Sequence, residues 1–231
     1  MMTVIPSSER HHSDAGWLSS YWHFSFGDYY EPGNMHWGEL RVFNDDIIHG
    51  GGGFGMHPHR DMEIITYVIE GQLEHQDHLG NRGIIHPGQV QVMSAGTGIV
   101  HAEYNASADK DVHLMQLWVI PRNKNNTPRW EQKQFTPEQR QAKLLPVVSS
   151  GDEPGTLAID QDATIYISAL KAGQKITHQN RQKYAYLFVI DGALLLNGAQ
   201  LSKGDQARIA DEKVLEIRAT HDAELILLDL V

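Results

Sequence analysis

A strand-and-turn pattern occurs twice in the chain, first as Tyr67-Val68-Ile69-Glu70-Gly71 and again as Phe188-Val189-Ile190-Asp191-Gly192. Each copy has an apolar run that suits a buried strand, then an acidic residue, then a glycine where the chain turns. Downstream, Pro87-Gly88-Gln89-Val90 corresponds to Lys203-Gly204-Asp205-Gln206, and each is followed by another apolar run. The sequence therefore predicts an internal repeat, with one copy of the same β unit in each half of the chain.

The remaining apolar segments also indicate strands. Their apolar residues recur mostly with a period of two, in short runs interrupted by glycine or asparagine. The predicted strands are Glu63–Glu70, Gln89–Met93, Asp111–Ile120, Thr164–Leu170, Ala185–Ile190, Val214–Ala219 and Ala223–Leu230. Because 21 glycines and 9 prolines supply many turns, the pattern predicts an all-β sandwich or barrel.

A short helix is predicted in the connection between the two copies. Thr136 suits the N-cap, Pro137 suits the first helical position, and Gln139 completes a capping box. The stretch before it, Arg122–Trp130, is polar and poor in strand signals. We therefore predict two domains, which comprise residues 1–134 and residues 135–231.

Composition excludes several classes of function. The 231 residues carry a formal net charge of −10 and include no cysteine, so disulfides, thiolate catalysis and sulfur-based zinc sites are ruled out. A strongly acidic chain without a basic stripe is a poor partner for nucleic acid or an anionic membrane. The first residues do not resemble an export signal, and no apolar run has the ~20 residues that cross a bilayer. We expect a cytoplasmic protein, with a monomer as the default.

Histidine is the unusual component, because 12 of the 14 copies lie in the first 113 residues. His57 and His59 are two residues apart, which places both on one face of an extended strand. His101 and Glu103 repeat that spacing. If the two strands face each other inside a sandwich, three neutral nitrogens and one carboxylate oxygen meet. Such a set suits a first-row transition metal with positions left open for water, dioxygen or substrate.

The repeat predicts that the second copy lacks this site. His57 and His59 lie 14 and 12 residues before Gly71, and the same offsets before Gly192 hold His178 and Asn180. Only one histidine of the pair is therefore present in the second copy. We expect that this copy retains the fold without a metal.

The motifs around these residues resemble those of the cupin superfamily and, more specifically, of the pirin family. The first cupin motif is matched by Gly51 with His57-Pro58-His59, Glu63 and Gly71, and the second by Gly98–Asn105. The similarity to pirin rests on Thr97–Asn105 after Ser94-Ala95-Gly96, on His57-Pro58-His59-Arg60 and on Phe24-Ser25-Phe26. Gly96 replaces the proline expected in the general second motif, which weakens only the general cupin match.

The resemblance implies two tandem jelly-roll-like cupin domains, a metal-binding one at the N-terminus and a degenerate one without metal at the C-terminus. It further implies one divalent transition metal, with Fe(II) as first choice and Cu, Ni, Mn or Co as alternatives, held by His57, His59, His101 and Glu103. General cupins use the position of Glu63 for the carboxylate, but Glu63 lies ~13 Å beyond His59 along an unbroken strand. We expect Glu63 to accept a hydrogen bond from a ligand imidazole instead.

Two functions are compatible with this resemblance. The first is a metal-dependent dioxygenase that cleaves a flavonol such as quercetin with O₂, in the 2,3-dioxygenase manner with release of carbon monoxide. Glu103 then serves both as ligand and as the base that takes the proton of the 3-hydroxyl. The alternative is a non-enzymatic, iron- and redox-responsive regulator that binds a transcription factor or a metabolic enzyme. A metal-free sugar-binding or structural bicupin is disfavoured because all four ligand positions are filled.

Two further groups of residues are less decisive. His75 and His78 flank the polar hairpin Gln76–Asn81, and we expect both to be exposed to solvent. The aromatic-rich segment from Trp22 to Trp37 either closes the mouth of the pocket or packs on the outside of the domain. The sequence leaves that choice open.

Overall fold

The computed structural model of the chain describes residues 1–231. It contains 22 strands, a four-residue α-helix and a short 3-10 helix, Ser7–Glu9. Contacts divide the chain into two compact units. The first, here called the first sandwich, comprises His11–Gln134 with Ile159–Gln161; the second sandwich comprises Met1–Arg10, Phe135–Ala158 and Asp162–Val231.

The first sandwich consists of a seven-stranded and a four-stranded sheet. Its strands are β2 (His11–Asp14), β3 (Leu18–Trp22), β4 (Leu40–Ile48), β5 (Gly53–His59), β6 (Glu63–Glu70), β7 (Leu73–Asp77), β8 (Arg82–Ile85), β9 (Gln89–Ser94), β10 (Ile99–Asn105), β11 (Val112–Val119) and β12 (Arg129–Gln134). The sheet orders are β12-β9-β6-β11-β4-β3-β2 and β5-β10-β7-β8. Val68 and Leu114 of the larger sheet pack in one apolar cluster with Leu73 and Ile85 of the smaller, so the sheets pack face to face.

The second sandwich is built in the same way. Its strands are β1 (Met2–Ile5), β13 (Leu145–Ser149), β14 (Leu157–Ala158), β15 (Thr164–Leu170), β16 (Lys175–Gln179), β17 (Tyr184–Asp191), β18 (Ala193–Leu196), β19 (Ala199–Ser202), β20 (Gln206–Ala210), β21 (Val214–Ala219) and β22 (Ala223–Leu230). The sheet orders are β1-β20-β17-β22-β15-β13-β14 and β16-β21-β18-β19. A single cluster of leucine, isoleucine, valine and alanine side chains fills the space between these sheets.

The two sheet orders confirm the internal repeat. β6 and β17 occupy the same place in their sheets, and each ends at the glycine of the repeated pattern. Gly71 and Gly192 have φ angles of 77° and 78°, a region that disfavours residues with a side chain. A Cβ atom at either position would also lie within 2.4 Å of a backbone oxygen. The glycines are therefore required by both the turn and the packing.

The secondary-structure predictions agree closely with the structure. Predicted strands Glu63–Glu70, Thr164–Leu170, Val214–Ala219 and Ala223–Leu230 match in full, and the other three differ by a residue or so at their ends. The helix α1 (Pro137–Arg140) begins after Thr136 with both hydrogen bonds of the predicted capping box. The polar segment that was expected to lack strands ends in β12, which pairs with β9.

The predicted domain borders, 1–134 and 135–231, stay a prediction, and the contacts differ from them in two segments. Met1–Arg10 groups with the second sandwich because β1 pairs with β20, from Met2 opposite Ile209 to Ile5 opposite Gln206. Ile159–Gln161 groups with the first, where Asp160 accepts hydrogen bonds from Asn123 and Asn126. Neither helix has the length and apolar character that a membrane crossing requires.

Candidate metal centre

The strands β5 and β10 bring the predicted histidines together. They pair in antiparallel register with His57 directly opposite His101, and a register shift follows between His101 and Glu103. The ring centroids of His57 and His59 lie 4.4 and 4.9 Å from that of His101. One ligand atom from each of the three histidines lies within 4.8 Å of the others. The strands are hydrogen-bonded neighbours in one sheet, whereas the sequence suggested strands facing each other across the sandwich.

Glu103 lies beside His101 and is almost completely buried. Its carboxylate, His101 and His75 form a second group whose ligand atoms lie within 4.8 Å of one another. Oε1 accepts a hydrogen bond from Gln91 Nε2 at 3.2 Å and Oε2 accepts one from Gln116 Nε2 at 2.8 Å. Burial raises the pKa of Glu103 to about 7, although both amides favour the ionised form. His101 belongs to both groups, so it is the centre of the cluster.

The ring nitrogens at this site are available as metal ligands. His57 Nδ1 lies 2.8 Å from the carbonyl oxygen of Gly55, which can only accept, so the proton is on Nδ1 and the lone pair is on Nε2. His101 Nε2 is buried without a hydrogen-bond partner. Burial, with the neighbouring histidines, lowers the pKa of His101 to about 2 and that of His59 to about 4. Neutral rings and an unpartnered buried nitrogen fit a transition metal.

A cavity of about 320 Å³ opens onto these residues. Its wall includes His57, His59, His101 and Glu103, four large aromatic side chains, and a small polar group. The aromatic residues are Trp22, Phe26, Phe54 and Trp118, and the polar group is Ser20 with Asp46. The aromatic segment that begins at Trp22 therefore contributes to the pocket, a choice that the sequence left open.

Asp46 is an unusual group for such a wall, because no cation pairs with it. The Ser20 hydroxyl donates a short hydrogen bond to its carboxylate. Burial raises the pKa of Asp46 to about 7, and the Ser20 hydrogen bond opposes that shift only in part. The cavity therefore contains two acids, Asp46 and Glu103, whose pKa values lie near neutrality.

The expectation that His75 is exposed is wrong. Its side chain is fully buried, stacks on Trp130 with centroids 5.3 Å apart, and approaches His101. The alternation of burial along β7, where residues 73, 75 and 77 point inward, explains the position and was present in the sequence. His78, beyond the end of that strand, is exposed as expected.

The expectation for Glu63 is also wrong. Glu63 is buried on β6, a strand of the larger sheet, where it lies opposite Ser94. It accepts a hydrogen bond from Ser94 Oγ at 2.6 Å. Burial raises the pKa of Glu63, and the contacts with Ser94, Arg129 and the backbone of Asp160 offset that shift only in part. Its partners therefore lie away from the four predicted ligands, because β6 and β5 belong to different sheets.

The second sandwich has no corresponding histidine group. His178 lies on β16, where its register partner on β21 is Leu215. Its Nε2 is 2.9 Å from both carboxylate oxygens of Asp229, which is buried. The one histidine retained in the second copy is thus hydrogen-bonded within the protein.

Comparison with known proteins places this geometry in a family. The pirin family model matches residues 5–119, and a quercetinase C-terminal cupin domain model matches residues 146–230. A protein of Escherichia coli strain K12 named quercetin 2,3-dioxygenase is 43% identical over 100% of this chain and 99% of its own. A pirin-like protein of Caulobacter vibrioides is 45% identical over 94% of each chain.

Solved structures give the same result. The crystal structure of YhhW from Escherichia coli has a TM-score of 0.96 and 42% identity, covering 100% of this chain and 98% of that one. The structure of bacterial pirin YhhW in complex with nickel(II) has a TM-score of 0.94, with 42% identity and coverage of 100% and 99%. The two sandwiches are therefore cupin domains, and the chain belongs to the pirin family.

Proposed function

We propose that the protein is a metal-dependent dioxygenase that cleaves a flavonol such as quercetin with O₂ and releases carbon monoxide. The observation that carries this proposal is the convergence of three imidazoles and Glu103 on one aromatic-walled cavity. Its volume of about 320 Å³ lies within the range typical of small-molecule sites. Full-length relatives named quercetin 2,3-dioxygenase support the same activity.

His57, His59, His101 and Glu103 are the residues that would hold one divalent transition metal. The unpartnered Nε2 of buried His101 and the free lone pair of His57 fit that role. We take Fe(II) as the first choice, and the nickel complex of the related pirin supports a divalent ion in general. When bound, the metal supplies Lewis-acid binding of a substrate oxygen and an open position for O₂.

The cavity walls suit a flat aromatic substrate. Trp22, Phe26, Phe54 and Trp118 offer apolar ring surfaces on which a flavonol would stack, and their bulk excludes water from the reacting centre. Glu103 takes the proton of the flavonol 3-hydroxyl, which gives the anion that reacts with O₂. The amides of Gln91 and Gln116 hold the Glu103 carboxylate in place during that transfer.

The relatives favour this enzyme over the regulatory alternative. Several full-length relatives carry the name of an oxidoreductase, and the four site residues line an accessible cavity rather than a closed metal shell. The chemistry of the cavity is that of a substrate site.

The test is carbon monoxide release from quercetin by protein loaded with Fe(II), Ni(II), Mn(II), Co(II) or Cu(II). We expect metal-dependent release that falls by about 10²-fold or more in Glu103→Ala, in line with the loss of a general base. Glu70→Gln, at the end of β6 and outside the cavity, is the control and should keep full activity. Fully loaded protein that turns over no flavonol with any of these metals contradicts the proposal.

A further inference from the structure

A chain of buried polar groups begins at His101 Nδ1, the ring nitrogen other than the unpartnered Nε2. His101 Nδ1 lies 3.4 Å from His75 Nδ1, and His75 Nε2 lies 3.3 Å from Asp77 Oδ2. His101, His75 and Asp77 are only 1%, 0% and 9% exposed. β7 and β10 are paired neighbours with Asp77 opposite His101, so the register of the sheet positions these groups.

The hydrogen bonds around Asp77 determine where the proton lies at the far end of this chain. Oδ1 accepts from the backbone N–H groups of Leu79 and Asn81, both at 3.0 Å, and Oδ2 accepts from Asn81 Nδ2 at 2.8 Å. Both oxygens are therefore acceptors. The proton in the contact with His75 must then be on His75 Nε2.

The position of the proton on His75 Nε2 determines the proton positions in the rest of the chain. A neutral imidazole carries a single N–H, so His75 with its proton on Nε2 has a lone pair on Nδ1. That lone pair can only accept, and its neighbour, His101 Nδ1, must donate. His101 then has its own lone pair on Nε2, the nitrogen that is buried without a partner in the protein. The chain thus selects one of the two tautomers of His101.

We propose that Asp77 and His75 are positioning residues that fix His101 in the tautomer whose Nε2 lone pair is presented to the metal. This inference rests on the metal site of the proposed function. Outer hydrogen-bond partners of this kind orient a ligand imidazole and increase its basicity. Here the carboxylate acts through a second imidazole, so the effect of Asp77 reaches the ligand without direct contact.

Both ring nitrogens of His75 already have partners within the protein. Its two ring nitrogens face Asp77 and His101, and its ring is stacked on Trp130 at an interplanar angle of 15°. Trp130 Nε1 also donates to Gln91 Oε1 at 2.6 Å, and Gln91 donates to Glu103. Trp130 therefore contacts both His75, the neighbour of His101, and Gln91, the hydrogen-bond donor to Glu103.

The repeat gives an independent argument from the same molecule. His75 and Asp77 lie four and six residues after Gly71, and the same offsets from Gly192 hold Leu196 and Gly198. Leu215 occupies the position of His101, since it lies opposite His178 as His101 lies opposite His57. The second copy therefore lacks the ligand and both positioning residues together, as expected if they act as one unit.

Asp77→Asn is the decisive variant. The backbone N–H groups of Leu79 and Asn81 hold the amide oxygen, which turns the amide NH₂ toward His75. The hydrogen bonds from Asp77 through His75 to His101, here called the relay, then reverse their directions. His75 Nε2 accepts and His75 Nδ1 donates, so the proton of His101 moves to Nε2, where it blocks metal binding. We expect Ni²⁺ affinity, measured by competition with a chelator, to fall by about 10–100-fold.

Asn81→Ala is the matched control. It removes the side-chain donor to Asp77 Oδ2 but leaves both backbone donors and every proton of the relay in place. We expect its Ni²⁺ affinity to equal that of the wild type. Equal losses in Asp77→Asn and Asn81→Ala would show a merely structural role for this turn and overturn the proposal.

A second measurement does not depend on metal, and its wild-type part does not depend on the folding of a variant. Nitrogen-15 NMR of the metal-free wild type at neutral pH should show His101 with its proton on Nδ1, and Asp77→Asn should show it on Nε2. A wild-type proton on His101 Nε2 overturns the relay. Wild-type protein that binds no Ni²⁺ overturns the proposed function, whereas wild-type binding with an unaffected Asp77→Asn variant overturns the relay alone.

Discussion

His101 in the first sandwich and Leu215 in the second occupy the same place in the repeated fold, opposite His57 and His178. The same substitution of polar by apolar residues extends to the neighbouring positions. Counted from Gly71 and Gly192 and from the strand registers, the corresponding pairs are Glu103 and Ile217, His75 and Leu196, Gln91 and Ala207, and Gln116 and Leu227. All the apolar members belong to the buried cluster of the second sandwich.

The comparison teaches that this fold accepts two different interiors on one strand order. In the second sandwich, leucine and isoleucine fill most of the space, and His178 with Asp229 forms a separate polar pair. In the first, a connected polar network surrounds a cavity of about 320 Å³. Such a network costs stability unless its members are satisfied, so its retention points to function rather than to folding.

The largest predicted difference concerns metal binding. His101→Leu gives the first sandwich the residue of the second and should reduce Ni²⁺ affinity by more than about 100-fold, because it removes a proposed ligand rather than an outer partner. His178→Gln, which changes the residue of the second sandwich that corresponds to His57, should leave the metal content unchanged. Metal analysis of both purified variants checks this, and an unchanged content in His101→Leu would contradict the site.

The next effect concerns the packed interior. Leu227→Ala in the second sandwich removes a fully buried side chain and should lower the free energy of unfolding by about 2–5 kcal/mol. Val214→Ala, at an exposed position of the second sandwich, should change the free energy of unfolding by less than about 0.5 kcal/mol. Urea unfolding of both variants measures the difference, and similar values would show that the second interior is not tightly packed.

Asp46, one of the two buried acids of the cavity, predicts a pH dependence of stability. The pKa of Asp46 is raised from 3.8 to about 7, so the folded protein holds a proton that the unfolded chain releases. The free energy of unfolding should therefore fall as pH rises from about 4 to about 7 and then level off. Asp46→Asn should remove this part of the slope, by on the order of 2–4 kcal/mol at pH 8 in metal-free protein. Parallel curves for the variant and the wild type would refute this assignment.

The smallest predicted effect concerns the support of Glu103. Gln116→Leu, which copies the second sandwich, removes the 2.8 Å hydrogen bond to Glu103 Oε2. Ni²⁺ affinity should fall by about tenfold, since Glu103 loses an outer partner while the proposed ligand carboxylate itself is kept. Chelator competition measures the affinity, and thermal unfolding verifies the fold. A loss as large as that of His101→Leu would mean that Gln116 does more than orient the carboxylate.

Much of the fold was predictable because its signals are local. The strands of the larger sheets are apolar runs with a period of two, and the capping box at Thr136 and Gln139 is a short-range motif. β12 escaped detection because it is a polar edge strand, whose place is decided by pairing with β9 rather than by its own residues. The strand β1 is similar, since it pairs with a strand some two hundred residues away.

The candidate site likewise has features that the local sequence predicts and features that depend on the tertiary structure. The i, i+2 spacing of His57 with His59 and of His101 with Glu103 already places each pair on one face of a strand. The placement of Glu63 was wrong because distance along the chain does not reveal that β6 lies in the other sheet. His75 was misplaced because the polar residues around it indicate a surface hairpin, whereas the alternation along β7 turns its side chain inward.

The sequence by itself determined the repeat, the all-β fold and the four candidate ligands, because strand periodicity and turn glycines act over a few residues. Only the tertiary structure decided that β5 and β10 are neighbours, that Trp22 and Phe26 line the cavity, and that Asp77 and His75 stand behind His101. Those relations depend on strand register and sheet packing. Both are set by side chains far apart in the chain, which no local pattern records.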